Sequence, residues 1–349
     1  MGNVGKINTN ELNASFVNLT EGIKGYLTSI KAEFDFFDAQ NSSRESRTKF
    51  VLENKDNIFQ KLNSHFASIW KIASNFDKQS YLTHADFYRQ ALSDLLLKAE
   101  INKHIYEKPL GYAGDYITMN NIYNYHNGFL GTSSYDILIN YYTCNIPIAI
   151  SNIKRKDYLK EQILSVLSHF QNPKIASFGS GPARELIELL DENKINKKVK
   201  FYCVDFEEKA LDFARDELAK RGNNNLLDVA FLKIDIRNLI RSKKIEEKLN
   251  NIDLLYASGL FDYLGDRFAE KAVPILFNLL SKSGYMILVN ASSENDEMRA
   301  YYEMLGTWEF YHRKKDQILA WTRQLSNQNN ISFEDVYSPN NYFFMKICR

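Results

Sequence analysis

The sequence predicts an α/β fold in which a parallel sheet with helices on both faces ends in an antiparallel hairpin and follows an α-helical N-terminal domain. Three patterns predict it. Apolar residues recur at helical spacing through the first hundred positions, short apolar runs alternate with amphipathic helices after residue 172, and two strand-like runs close the chain across a polar turn.

The helical part comes first. Phe16, Leu19, Ile23, Tyr26, Leu27 and Ile30 form one apolar stripe, and Phe59, Leu62, Phe66, Ile69 and Trp70 form a second. Thr83 followed by Asp86 reads as a capping box opening a third helix that carries Phe87, Ala91, Leu95 and Leu96. Pro109, Gly111 and Gly114 then crowd into a tight loop feeding a helix with Ile117, Met119, Ile122 and Tyr123. Ser133 and Ser134 can cap the next helix, Pro147 interrupts it, and Tyr158, Leu159, Ile163, Val166, Leu167 and Phe170 mark another. A boundary near residue 150 is expected, giving a helical or cap domain over 1–150 and a second domain over 151–349. In the second, the candidate strands are 174–178, 200–204, 229–234, 252–257 and 285–290, with helices at 183–190 and 207–220 between them. The closing runs are 331–337 and 342–348, joined through Ser338, Pro339, Asn340 and Asn341.

Composition narrows the function classes. The 349 residues hold 44 Lys+Arg against 43 Asp+Glu, a formal charge of +1, so no global field favours a nucleic acid or an anionic membrane. The basic clusters Lys154, Arg155, Lys156 and Lys197, Lys198, Lys200 read as solvated faces. The three cysteines, Cys144, Cys203 and Cys348, have neither zinc spacing nor a disulfide pattern, which suits a reducing cytoplasm, and no metal is implied. The first twenty residues contain no apolar run of the kind a secretory signal needs, and no stretch approaches the length of a membrane span.

The chemistry gathers around Phe178, Gly179, Ser180, Gly181, Pro182 and Ala183, a strand, a glycine turn and a helix start. Glycines let the backbone turn sharply and approach a ligand, while the helix start presents N–H groups. Asp205, followed by Phe206, ends the second strand where doubly wound folds place a carboxylate for ribose hydroxyls, and Asp235 ends the third. A nucleoside-shaped site is the consequence. A dinucleotide site is disfavoured, because Arg184 stands where its fingerprint needs a small residue and only one nucleotide-binding half follows.

These residues resemble the class I S-adenosylmethionine-dependent methyltransferases over about residues 150–349. The resemblance implies a Rossmann-like seven-stranded sheet with a C-terminal antiparallel hairpin and S-adenosyl-L-methionine as cofactor. It implies that the loop Gly179–Gly181 passes the methionine part of the donor, that Asp205 binds the ribose, and that Asp235 with Ile236 borders the adenine. Ser177 and Ala183 depart from the common loop pattern, which more often has an acid and a third glycine there. A narrower resemblance covers about residues 105–349. Pro109 to Tyr116, Gly179 to Leu186 and Ser258 to Leu264 are similar to segments of bacterial methyltransferases of 3-hydroxypalmitic acid methyl ester biosynthesis. It implies a small-molecule or lipid-like acceptor, with the carboxylate of a hydroxy fatty acid as one candidate.

Acceptor and catalytic residues follow from position. Tyr112 and Asp115 are the candidate catalytic groups on the Gly111–Tyr116 loop, with Tyr116 beside them; the alternative for Asp115 is a helix cap. Ser258 and Gly259 follow the fourth strand as cofactor candidates. Tyr263 follows the same strand and Asn290 ends the fifth, so both are acceptor candidates. In the narrower family a Trp, a Tyr and an Arg recur near residue 310, which marks Trp308, Tyr311 and Arg313 as acceptor-pocket candidates, the arginine suited to a forked carboxylate pair. A carboxylate acceptor needs no general base, whereas a hydroxyl or ammonium acceptor does. Two other readings stay open: a sensor that binds the donor without turnover, and a methyltransferase of a natural product or RNA.

Overall fold

The computed structural model describes residues 12–125, 129–222, 224–241, 245, 248–294, 297–325, 330–336 and 341–349. The chain divides into two compact units, one made of 1–150 with 296–309 and the other of 151–295 with 310–349.

The first unit is helical. α1 (Ala14–Gln40) starts where the Asn13 side chain accepts from Phe16 N–H, and α2 (Arg44–Ala73) starts at Ser43 in the same way. α3 runs over Lys78–Leu96. It opens five residues before the Thr83 box, because Asp77 sits in extended backbone and accepts from Ser80 N–H; the Thr83 hydroxyl instead donates back to the Gln79 carbonyl. α4 (Glu100–Glu107), α5 (Tyr116–Asn124) and α6 (Ser134–Asn145) follow, the last entered through a reciprocal Ser133–Asp136 capping box. α7 (Pro147–His169) begins at a proline, tolerated there because its missing N–H would have had no helical partner, and it carries the chain across the unit boundary. A π-helical turn, Ala300–Leu305, completes the first unit and buries Tyr301, whose hydroxyl is bonded by Asn102 and Thr143.

The second unit is built on a seven-stranded sheet in the order β3-β2-β1-β4-β5-β7-β6. The strands are β1 (Lys174–Phe178), β2 (Val199–Asp205), β3 (Leu227–Lys233), β4 (Ile252–Ala257), β5 (Leu280–Ala291), β6 (Asn330–Glu334) and β7 (Tyr342–Cys348). β1 to β5 are parallel, and β7 is antiparallel to both β5 and β6. The hairpin therefore exists as read, although the residues of its turn, 337–340, lie outside the described ones. β5 starts at Leu280, earlier than its apolar pattern suggests, because Gly284 lets the strand bulge against β4; a Cβ there would stand 2.4 Å from the Ile252 carbonyl oxygen. α8 (Arg184–Asp191) and α9 (Glu208–Lys220) link β1 to β2 and β2 to β3. The core on one side of the sheet gathers Phe178, Val204, Leu255, Phe261, Met286 and Trp321. Strand order reverses between β1 and β4, so connections leave in opposite directions there and open a crevice at the carboxyl ends of the two strands.

Candidate cofactor and acceptor site

Gly179, Gly181 and Ala183 all take left-handed backbone, with φ of 68°, 50° and 48°. Gly179 has a packing reason as well, since a Cβ would stand 3.3 Å from Leu260 Cβ in the loop after β4. The turn is held to β2: the N–H groups of Gly179 and Ser180 both donate to the Val204 carbonyl, at 2.8 and 3.2 Å. Asp205, 5% exposed, fastens it further, Oδ2 accepting from Gly181 N–H at 2.8 Å and Oδ1 from Glu207 N–H at 3.0 Å. Burial pushes the Asp205 carboxyl above its ordinary value, while the backbone N–H groups of Glu207, Gly181 and Phe206 oppose that push. Ser180 Oγ is buried without a hydrogen-bond partner, and Ala183 gives α8 no side-chain cap.

α8 is anchored elsewhere. The Tyr256 hydroxyl donates to Glu185 at 2.5 Å, and Glu188 accepts from Lys156 at 2.5 Å, Lys160 at 2.9 Å and Arg184 at 3.0 Å. Burial works to raise the Glu188 carboxyl, but these three cations pull it down to about 2. The solvated-face reading of this basic run holds for Lys154, which is exposed, and is corrected for Arg155 and Lys156. Lys156 is buried on Glu188, and Arg155 is buried too, because α7 turns this side toward the sheet.

Arg155 defines the other side of the crevice. Its guanidinium lies over the Tyr342 ring at 4.7 Å, and two of its nitrogens would stand 3.2 and 3.4 Å from a Cβ on Gly259, whose φ is 78°. Ser258 and Gly259, half-buried, thus form the second glycine turn beside the first. Three residues on, Asp262 is 1% exposed; Oδ1 accepts from Ala291 N–H at 2.6 Å, and Oδ2 has no hydrogen-bond partner.

Residues 171–330 match a family model described as a methyltransferase domain. The likeness of this segment is thus to a methyltransferase domain. No curated protein matches the chain. Among solved structures, a possible exported protein from Bordetella parapertussis is 14% identical, with a TM-score of 0.56 over 83% of this chain and 96% of that one, a likeness of fold. Magnesium protoporphyrin IX methyltransferase from Synechocystis PCC 6803, with bound SAM, is 15% identical, with a TM-score of 0.41 over 58% of this chain and 81% of its own. The S-adenosylmethionine-dependent methyltransferase SibL is 12% identical, with a TM-score of 0.43 over 83% and 95%.

Within the matched segment the remaining sequence candidates part company. Asp235 lies two residues past the end of β3, and its carboxylate is turned onto Arg237, bonded at 2.9 and 3.0 Å, so that guanidinium holds it below its ordinary value. Phe206 is exposed at the strand end, whereas Ile236 is packed into the core with Val204 and Leu249. Asn290 and Arg313 are corrected most clearly. Arg313 is buried and donates to Asn290 Oδ1 at 2.7 Å, to Asp266 Oδ1 at 2.7 Å and to the carbonyls of Phe261 and Leu264, so its fork is filled by the loop after β4. Asn290 Nδ2 in turn donates to the carbonyls of Ala291 and Tyr311. Both are braces, because a buried guanidinium without such acceptors would carry an unpaid desolvation cost. Tyr263 and Tyr311 are exposed, the latter beneath the Arg313 guanidinium.

The first unit holds the rest. Asp115 is fully buried, Oδ1 accepting from Ile117 and Thr118 N–H at 3.0 and 2.9 Å and Oδ2 bonding His104 at 2.7 Å. It is the N-cap of α5, so the catalytic reading gives way to the cap. Tyr112 and Tyr116 flank it, each half-buried. Trp308 is buried with Ile105, Ile122 and Tyr302 around a small apolar cavity of this unit. Sequence reasoning missed Arg155, whose signal was hidden in a basic run, and the orphaned oxygen of Asp262. Among the described residues no His, Cys, Asp and Glu cluster could hold a metal, and no helix is long and apolar enough to cross a membrane.

Proposed function

We propose that the protein transfers the methyl group of S-adenosyl-L-methionine to a small-molecule or lipid-like acceptor, the carboxylate of a hydroxy fatty acid being the class that the narrower resemblance implies. The observation that carries this reading is Asp205: a buried carboxylate at the end of β2 that also ties down the Gly179–Gly181 turn at the reversal of strand order. The site suits the donor. Asp205 accepts from Gly181 N–H on one oxygen and from Glu207 N–H on the other and has acceptor capacity left for ribose hydroxyls, while Ser180 Oγ, buried and unpartnered, faces the same need for a ligand atom.

S-Adenosylmethionine supplies a methyl group already activated on a sulfonium. What the chain adds is placement: the Gly179–Gly181 turn, stiffened by two bonds to Val204, sets the methionine part, Asp205 sets the ribose, and Phe206 and Asp235 border the base. A carboxylate acceptor is ionised near neutral pH and needs no proton removed, which agrees with Asp115 being engaged as a cap. The experiment is production of S-adenosylhomocysteine with 3-hydroxy fatty acids of several lengths, other carboxylates, amines and phenols. Turnover that prefers one class and collapses in Asp205→Ala supports the reading; absence of donor binding overturns it, and binding without turnover on any acceptor favours a sensor.

A further inference from the structure

We propose that Arg155 and Asp262 receive the amino-acid end of S-adenosylmethionine, the guanidinium taking its carboxylate and Asp262 Oδ2 its ammonium group. The proposal rests on the donor reading above and assigns the partners of a part of the donor that the glycine turn alone leaves unmatched in charge.

Three observations carry it. The first is where the cation lies. Arg155 is 5% exposed, and its guanidinium occupies the space a side chain at position 259 would take, so it rests on the backbone of the turn after β4. The next residue, Leu260, packs on Gly179, so the guanidinium stands one residue from the contact that joins the two glycine turns. The second is that it is held in orientation: the Tyr342 ring lies 4.7 Å away, a cation–π contact that fixes a planar fork well suited to a carboxylate. The third is the anion. Asp262 lies three residues beyond Gly259, with one oxygen bonded to Ala291 N–H and the other buried without a partner. A carboxylate oxygen removed from water and left unbonded is costly, and an ammonium group is the partner that best relieves it. Burial raises the Asp262 carboxyl, and Arg155 is the leading charge that opposes it, so the two groups already feel each other across the turn.

An α-amino acid carries one negative and one positive group two bonds apart on a single carbon. Arg155 and Asp262 offer the complementary pair with no change in net charge, which orients the methionine end along one direction only.

Three ligands separate the two roles. S-Adenosylhomocysteine has both charged groups, its decarboxylated counterpart keeps only the ammonium, and 5′-methylthioadenosine has neither. Calorimetric affinities of the wild type are expected to fall in that order. Arg155→Gln is expected to weaken S-adenosylhomocysteine by about 30-fold while leaving the decarboxylated ligand within about threefold, and Arg155→Lys recovers part of the loss. Asp262→Asn, which keeps an acceptor for Ala291 N–H, is expected to weaken both ammonium-bearing ligands by about tenfold and spare 5′-methylthioadenosine. A variant that loses the same factor on all three ligands overturns its assignment. A wild type that binds all three equally well overturns the inference while leaving the donor reading standing, and needs no variant to fold; a wild type that binds none of them overturns both.

Discussion

Two glycine turns in this chain look alike in sequence and differ in what they do. Gly111–Asp115 and Gly179–Ala183 each lead a short segment into a helix, α5 in the first unit and α8 in the second. At α5 the turn's own aspartate is the cap, and Asp115 takes two of the helix's first N–H groups. At α8 the cap position is Ala183 in left-handed backbone with no side-chain bond, Ser180 Oγ is left unpartnered, and the acid that ties the turn comes from another strand. A helix start closed by its own side chain is a finished piece of structure. One that stays open beside an orphaned hydroxyl and a buried carboxylate still has bonds to make, which is the signature of a ligand site.

The comparison breaks most readily at the two aspartates. Asp205→Ala is expected to weaken S-adenosylhomocysteine binding by at least about 100-fold, whereas Asp115→Ala leaves that affinity within about threefold and lowers stability by about 2 kcal/mol through the lost cap. Calorimetry and thermal melts of both variants decide it, and an Asp115 variant that binds poorly while melting normally would reverse the assignment.

The glycines give a smaller contrast. Gly179→Ala adds a Cβ 3.3 Å from Leu260 at φ of 68°, so both affinity, by about tenfold, and stability, by about 1–2 kcal/mol, are expected to fall. Gly111→Ala, at φ of 91° with open space around it, is expected to lose stability alone, about 1 kcal/mol.

The smallest effect concerns how an uncapped helix is held. Glu188 ionises near 2 in the folded chain against an ordinary 4.5, so the unfolded chain binds the extra proton between those values. Its contribution to stability is therefore complete above about pH 4.5 and disappears as pH falls toward 2. Glu188→Gln is expected to lower the melting temperature by a few degrees at pH 7, about 2 kcal/mol with Lys156 left buried, and to flatten its decline between pH 4.5 and 3. Equal slopes in variant and wild type would show that Lys156, Lys160 and Arg184 do not hold α8 through this carboxylate.

Much of this architecture was legible in the residues. β1 and β4 fall on the predicted positions, because a strand buried on both faces writes itself as a mostly apolar run such as Leu254–Ala257. The glycine turn after β1 was legible for a similar reason, since glycines that must adopt left-handed backbone have few substitutes. α3 was misplaced by six residues because Thr83 and Asp77 are both competent caps, and only the extended backbone at Asp77 chooses between them. The acceptor side was the least legible. Arg313 and Asn290 are polar residues at the ligand-bearing edge of the sheet, and sequence cannot say whether such a group faces a ligand or a neighbouring carbonyl.

By itself the sequence determined the order of elements, the parallel sheet with its closing hairpin, the glycine turn and the acid at the end of β2, all of which depend on local periodicity and backbone preference. Tertiary structure alone decided which charges are buried and with whom. It sent Arg155 under Gly259, filled the Arg313 fork, returned residues 296–309 to the helical unit and left Asp262 Oδ2 without a partner. The physical reason is that a charge's role is set by desolvation and by partners far away in the chain, neither of which leaves a periodic trace in the residues around it.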